Sequence, residues 1–317
     1  MSVNSLVKDG LLTNIDEPVK IIPVGVPGDE HKNPGFCRDD KGTFWISVRV
    51  CDIKPDRGEE YQHPNHYQNY LYLGKLNEDK LTISELKEIK PEEDYYGLQW
   101  GIEDVRLFWR KDGLHGIGVA IPVENGVHKI RQVEILLDHK KGTYRLLKDH
   151  GRPFGHMEKN WSPPEVATDK FDFVYSPTQI VKDGEVIGEP NDLFIHNGSQ
   201  LLEFEDGYIS IAHTIPNIAG MRTYASLALK FNAEGYVVAH SQFFHFDVGW
   251  RPHIPEQVEF ISTAIWAKGK VGKELLVGIG VKDEALGIAR LPVEKLKWEP
   301  YQDTIWYTWQ YHTPPTR

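Results

Sequence analysis

The chain has 317 residues, of which 40% are hydrophobic, 11% aromatic and 26% charged, a balance that supports a full core and excludes a largely disordered protein. Lys and Arg number 36 against 46 Asp and Glu, and the resulting charge of −10 at pH 7 excludes a general electrostatic pull toward nucleic acid or anionic lipid. The first residues show no basic segment followed by an apolar run, and no stretch approaches the roughly 18 apolar residues of a membrane span, so the expectation is a soluble, cytoplasmic protein with no membrane partner.

In chain order, a polar cluster NPGF at Asn33 leads into TFWISVRV from Thr43 and NYLYLGKL from Asn69, runs that alternate apolar and polar residues as strands do. The only two cysteines, Cys37 and Cys51, sit in these runs without metal-type spacing, which predicts two free thiols. LTISELKEIK from Leu81 fits either a helix or a strand. IEDVRLF at Ile102 precedes HGIGVAIP from His115 and IRQVEILLD from Ile130. EKNWSP at Glu158 precedes FDFVYSPTQIV from Phe171, and HNGSQLLEF at His196 precedes YISIAHTI from Tyr208 and YASLALKF from Tyr224. QVEFISTAI at Gln257 and KELLVGIGV from Lys273 complete the series.

Turn signals such as DDKG ending at Gly42, RKDG ending at Gly113 and NAEG ending at Gly235 separate these runs at hairpin intervals. A meander of hairpins implies a sandwich, a barrel or a propeller. In a propeller the innermost strand of each blade starts at the central pore, and polar clusters belong there; the sequence has five. The predicted fold is therefore an all-β, five-bladed propeller in one domain, with blades near 33–80, 100–148, 157–195, 196–250 and 257–298 and both termini packing on it.

The polar clusters supply the candidate chemistry. In GIEDVRLFW two adjacent carboxylates, Glu103 and Asp104, precede Arg106; strand alternation predicts that one faces substrate and the other anchors the arginine or a backbone amide. Glu158, Lys159, Asn160 and Trp161 are consecutive, a mixture suited to a polar pocket beside a ring that stacks on a pyranose. His196, Ser199 and Gln200 open a further strand, with His213 in the next one. Arg49 lies in an otherwise apolar strand beyond Asn33 and requires an anionic partner. Glu259 marks the last cluster, and Asp283 and Glu284 at the final turn read as an ion-paired closure. The loop histidines His63 and His66 have no partner spacing for a metal, and no nucleophile elbow, Walker loop or dinucleotide fingerprint occurs, so neither a metal nor a cofactor is expected.

The order of these motifs, with IEDVRLF and EKNWSP the most distinctive, resembles the five-bladed propellers of glycoside hydrolase family 130, mannoside phosphorylases and mannosidases with mannosyltransferase relatives, over about Asn33 to Leu296. The resemblance implies that Asp104 is the general acid, at the aspartate of an E-D-P-R motif in which this chain has Val105 for proline. It also implies that inorganic phosphate, held by groups such as Arg49, Arg106, Lys159 and His213, attacks the sugar. A hydrolase needs instead a second carboxylate about 6.5–9.5 Å from the acid, for which Glu158 and Glu259 are the candidates. Three readings follow: an inverting enzyme that cleaves or transfers a glycosidic bond, a glycosyltransferase with an activated sugar donor, and a non-catalytic glycan-binding propeller. Each takes a small carbohydrate or glycan as partner, with phosphate or a nucleotide sugar as the possible co-substrate.

Overall fold

The computed structural model describes residues 12–28, 30–53, 67–95, 97–98, 100–124, 127–151, 160–189, 195–214, 217–218, 221–222, 224–246, 248, 259–282 and 284–301. Glu158, Lys159, Gln257, Asp283, the His63–His66 loop and the aromatic strip from Trp306 lie outside the described residues.

The strands form antiparallel meanders that follow one another along the chain. The first comprises Glu30–Arg38, Phe44–Ile53, Tyr67–Asn77 and Thr82–Pro91. The last of these is the segment that fitted helix or strand, and its ladder with Tyr67–Asn77 settles it as a strand and carries the first meander past residue 80. Glu103–Arg110, Gly113–Ala120, Arg131–Asp138 and Thr143–Asp149 form the second. A short parallel pairing, Thr143 with Lys90 and Tyr144 with Pro91, zips the outer edges of the two into one eight-stranded sheet.

A third group holds Phe173–Ser176, Gln179–Lys182 and Glu185–Ile187, with Ser162 bridged to Val174 along its inner edge. In the fourth, Gly207–Thr214 lies between His196–Asn197 with Leu202–Phe204 on one side and Ala225–Phe231 on the other. The last group is Glu259–Trp266, Glu274–Val281 and Ala285–Pro292, and the early strand Lys20–Ile21 adds its outer edge. Residues from near the start of the chain thus cover an edge that would otherwise be an open hydrogen-bonding template.

Strand burial follows this order. All eight residues of Glu259–Trp266 are buried, as expected for an innermost strand packed on both faces, whereas only one residue of Thr82–Pro91 is buried. The core lies between successive groups. Leu71, Leu73, Val105 and Ile135 pack between the first and second, and Phe108, Trp161 and Phe173 between the second and third. Phe171, Val174 and Leu229 join the third to the fourth; Ile211, Phe246 and Ile279 join the fourth to the last. Phe36, Val48, Leu276 and Ile288 return from the last group to the first, so the packing circles an axis.

Hydrogen bonds between neighbouring groups trace the same circle. Ser47 Oγ donates to the Val105 carbonyl at 2.9 Å, and Ser162 Oγ donates to the Ser199 carbonyl at 2.5 Å. Thr263 Oγ1 donates to Gln200 Oε1 at 2.8 Å, while Ser262 Oγ donates to the Pro34 carbonyl at 2.7 Å. Gly35 permits a close approach, because a Cβ there would stand 2.2 Å from the Val105 carbonyl oxygen. Asn33 meets Asp104 and Gly35 meets Val105 and Leu107, while Pro34 meets Ser262 and Phe36 meets Thr263, so Glu30–Arg38, Glu103–Arg110 and Glu259–Trp266 run in one direction and their first residues share one end of the axis. This is an all-β fold of propeller type.

Candidate active site

At that shared end, Asn33 and Asp104 are built alike. Both take a left-handed backbone, with φ of 49° and 50°, and both sit where their ladder slips, between Lys32 and Gly35 and between Glu103 and Arg106. Asn and Asp tolerate this conformation best among residues with a Cβ, and the extra residue of a bulge re-aims a side chain. Strand alternation therefore fails here. Glu103 and Asp104, expected on opposite faces, converge on one guanidinium.

Arg49 is that guanidinium. Its Nη2 donates to Glu103 Oε1 at 2.7 Å, its Nη1 to Asp104 Oδ1 at 3.0 Å, and its Nε to Asn69 Oδ1 at 2.8 Å. Asn33 Nδ2 donates to the same Asp104 oxygen at 2.8 Å. Burial works against the charge of Arg49, but Glu103 and Asp104 more than offset it and raise its pKa well above the ordinary value. The side chains of Arg49, Glu103 and Asp104 keep 13, 20 and 17% of their surface exposed, so the cluster is held yet open to a ligand.

Sequence reasoning passed over three neighbours. Asn69 Nδ2 donates to Glu103 Oε1 at 3.1 Å, and Asn69 is placed by the close approach of Gly101, where a Cβ would stand 1.9 Å from the Asn69 carbonyl oxygen. Lys32, opposite Arg49 in the ladder, donates from Nζ to Glu30 Oε2 at 2.6 Å. Lys32 directly precedes Asn33, and that adjacency was the available signal.

Other predicted site residues have different work. Arg106 is fully buried and donates to the Gly198 carbonyl at 2.7 Å, the Asn197 carbonyl at 3.1 Å, Asn160 Oδ1 at 3.1 Å and the Trp161 carbonyl at 3.5 Å. It is a clamp across three inner strands and not a phosphate ligand; burial lowers its pKa to about 10, against the opposing charge of Asp104. Trp161, expected to wall a sugar, is 1% exposed and packs against His150, Phe173 and Tyr175, leaving no face for a pyranose. Gln200, one of the candidate site residues, donates from Nε2 to the Phe36 carbonyl at 3.0 Å and accepts from Thr263. Ser199 Oγ is likewise buried and accepts from the Ile211 amide. Asn160, with φ of 70°, is buried and engaged by Arg106.

A second grouping comes from the fourth and last meanders. His196 and His213 face each other across a ladder with rings 5.5 Å apart. His213 also stacks on Tyr224 at 5.4 Å and meets Phe260 edge-on at 4.9 Å. Glu259, beside Phe260, is 1% exposed and accepts the Phe246 amide at 2.6 Å, a bond that ties it to the neighbouring strand. Cys37 and Cys51 are free and buried. Among the described residues no group of three His, Cys, Asp or Glu gathers as metal ligands would, and no helix is long and apolar enough to cross a membrane.

No family model and no curated protein matches the chain by sequence. Solved structures do match in shape. β-1,2-Mannobiose phosphorylase from Listeria innocua superposes with a TM-score of 0.58 at 13% identity, over 90% of this chain and 93% of that one. MPT-1, a GDP-Man-dependent mannosyltransferase from Leishmania mexicana, gives 0.58 at 13% identity over 92% and 94%. MPT-4, a mannose phosphorylase from Leishmania mexicana in complex with phosphate ion, gives 0.54 at 13% identity over 91% of each chain. At this identity the likeness is one of fold: the chain has the all-β propeller architecture seen in GH130 mannoside phosphorylases and a related mannosyltransferase.

Proposed function

We propose that the chain is one five-bladed propeller that acts as a carbohydrate-active enzyme, cleaving or transferring a glycosidic bond with inversion at the end of the axis where Asp104 lies. The observation that carries this reading is the convergence of Asn33, Arg49, Glu103 and Asp104 through two matching bulges. Left-handed non-glycine backbone costs energy, persists where the surrounding structure holds it and clusters at active sites. Asp104 is the general acid for the leaving oxygen, Arg49 positions both carboxylates and faces an anionic co-substrate such as phosphate, and Asn33 and Asn69 fix the geometry. The similar folds include a β-1,2-mannobiose phosphorylase, a mannose phosphorylase in complex with phosphate ion and a GDP-Man-dependent mannosyltransferase, which makes mannosides the substrates to try first.

The pairing of Asp104 with Arg49 and Asn33 favours a second reading. A carboxylate held by two donors suits taking a proton more than giving one, and in transfer from an activated donor it serves as base toward the acceptor hydroxyl.

One screen tests both. Wild-type chain is incubated with β-1,2-mannobiose with and without inorganic phosphate, and with GDP-mannose plus mannose, and the anomeric configuration of products is followed by NMR. Phosphate-dependent cleavage supports the first reading, and GDP-mannose consumption supports the second. Asp104→Asn lowers either rate about 100-fold or more. Tight binding of a sugar that emerges unaltered under all conditions overturns both in favour of a glycan-binding module.

A further inference from the structure

A groove of about 670 Å³ runs between the first and second meanders, at the ends of their strands away from Asp104. Trp45 stands four residues before Arg49 and Trp109 five after Asp104, which at about 3.3 Å per residue puts the groove about 13–17 Å from the candidate active site. We propose that this groove is a second carbohydrate-binding site, which takes a neutral pyranose unit of an oligosaccharide.

Two tryptophans, Trp45 and Trp109, line it together with Leu114 and Leu136, giving the apolar surface on which the C–H face of a pyranose stacks. Trp45 is preset. Its indole N–H donates to Asp39 Oδ2 at 3.1 Å, and Asp39 Oδ1 accepts the Thr43 amide at 2.7 Å and the Lys41 amide at 3.0 Å. His139 packs 4.9 Å from the ring. The parallel seam of Thr143 with Lys90 and Tyr144 with Pro91, backed by the Glu92 amide bonded to the Tyr144 carbonyl at 2.8 Å, fixes how far the walls stand apart. A volume of this size lies within the range of about 300–1,000 Å³ typical of small-molecule sites.

Charge selects the ligand class. The lining cations are Lys41, Lys75, Lys140, Lys141 and Arg145. Asp39, Glu85, Glu92, Asp112 and Asp138 match them one for one. They also pair locally, Lys75 with Glu85 at 2.7 Å and Lys141 with Asp138 at 3.6 Å. An anion entering this wall meets as much repulsion as attraction and has to break those pairs. A neutral polyol donates to the carboxylates and accepts from the ammonium groups at once, leaving both signs satisfied. The inference does not depend on the reaction assigned to Asp104.

Calorimetric titration of the full chain in the Asp104→Asn background, where turnover is suppressed, tests it with neutral disaccharides of mannose, glucose and N-acetylglucosamine, and with inorganic phosphate as the charged control. The expected result is binding of at least one disaccharide that Trp109→Ala weakens tenfold or more and that phosphate does not displace. Lys75→Met keeps the alkyl stem beside Trp45 but removes the ammonium, and is expected to weaken binding at least threefold even if Trp109→Ala fails to fold. Absence of binding by every disaccharide, binding unaffected by the folded groove variants, or a groove that binds phosphate instead overturns the proposal.

Discussion

Arg49 shows how single residues set this site. Its charge is stabilised by two carboxylates, and they in turn depend on it, so Arg49→Met leaves Glu103 and Asp104 facing each other without a cation. Breaking such a pair costs about 2–3 kcal/mol, somewhat below the fully buried case because each partner keeps some exposure. Adding Glu103→Gln removes one of the stranded charges, and the double variant is expected to recover part of the loss in urea unfolding. Glu165, near the other end of the second and third meanders, behaves differently. Burial raises its pKa to about 7, with Arg38 opposing and Glu203 adding to the rise. The folded chain therefore binds a proton there between about pH 4.5 and 7 that the unfolded chain has lost, so stability falls as pH rises through that window. Glu165→Gln is expected to flatten that fall and to be the more stable protein at pH 8 by up to about 3 kcal/mol, read from unfolding curves at both ends of the window.

At the scale of the strand, alternation of apolar and polar residues was enough to place nearly every run, because a strand with its faces packed must repeat every two residues. The same rule misassigned Glu103 and Asp104. A bulge adds one residue that no period-2 pattern registers, and the only local sign was a carboxylate type that tolerates left-handed backbone. LTISELKEIK stayed ambiguous for another reason: an outer strand exposes much of its surface and so carries little apolar pattern. Trp161 and Arg106 were legible as important but not as buried, since a sequence does not say which face of a strand a neighbouring group of strands will cover. Trp161→Phe is expected to lower stability while leaving carbohydrate affinity unchanged, because the ring packs into an inter-sheet core and not against solvent. Thermal unfolding together with sugar titration on the same preparation checks both parts.

Across the whole molecule, the polar residues at inner-strand starts divide into two kinds. Some close the ring: Arg106 spans three inner strands, and Gln200 links the Phe36 carbonyl to Thr263. Gln200→Leu leaves the Phe36 carbonyl without a donor and the Thr263 hydroxyl proton without an acceptor and is expected to cost about 2–6 kcal/mol, at about 1–3 kcal/mol for each unsatisfied group, as chemical denaturation would show. Others, Arg49, Glu103 and Asp104, keep part of their surface open to a ligand and form the site, with the buried Asn33 bonded to Asp104. The ring could be foreseen from repeated polar clusters, whereas the division of labour within it depends on which side chains find partners across the axis.

A structure of the Asp104→Asn chain with β-1,2-mannobiose or another bound mannoside is the most direct test. The sugar is expected at the inner-strand starts, with the glycosidic oxygen about 2.6–3.2 Å from the side chain at position 104 and Arg49 beside it. A sugar bound at saturating concentration only elsewhere on the chain, with Asn33, Arg49 and Glu103 still closed on one another, would contradict it.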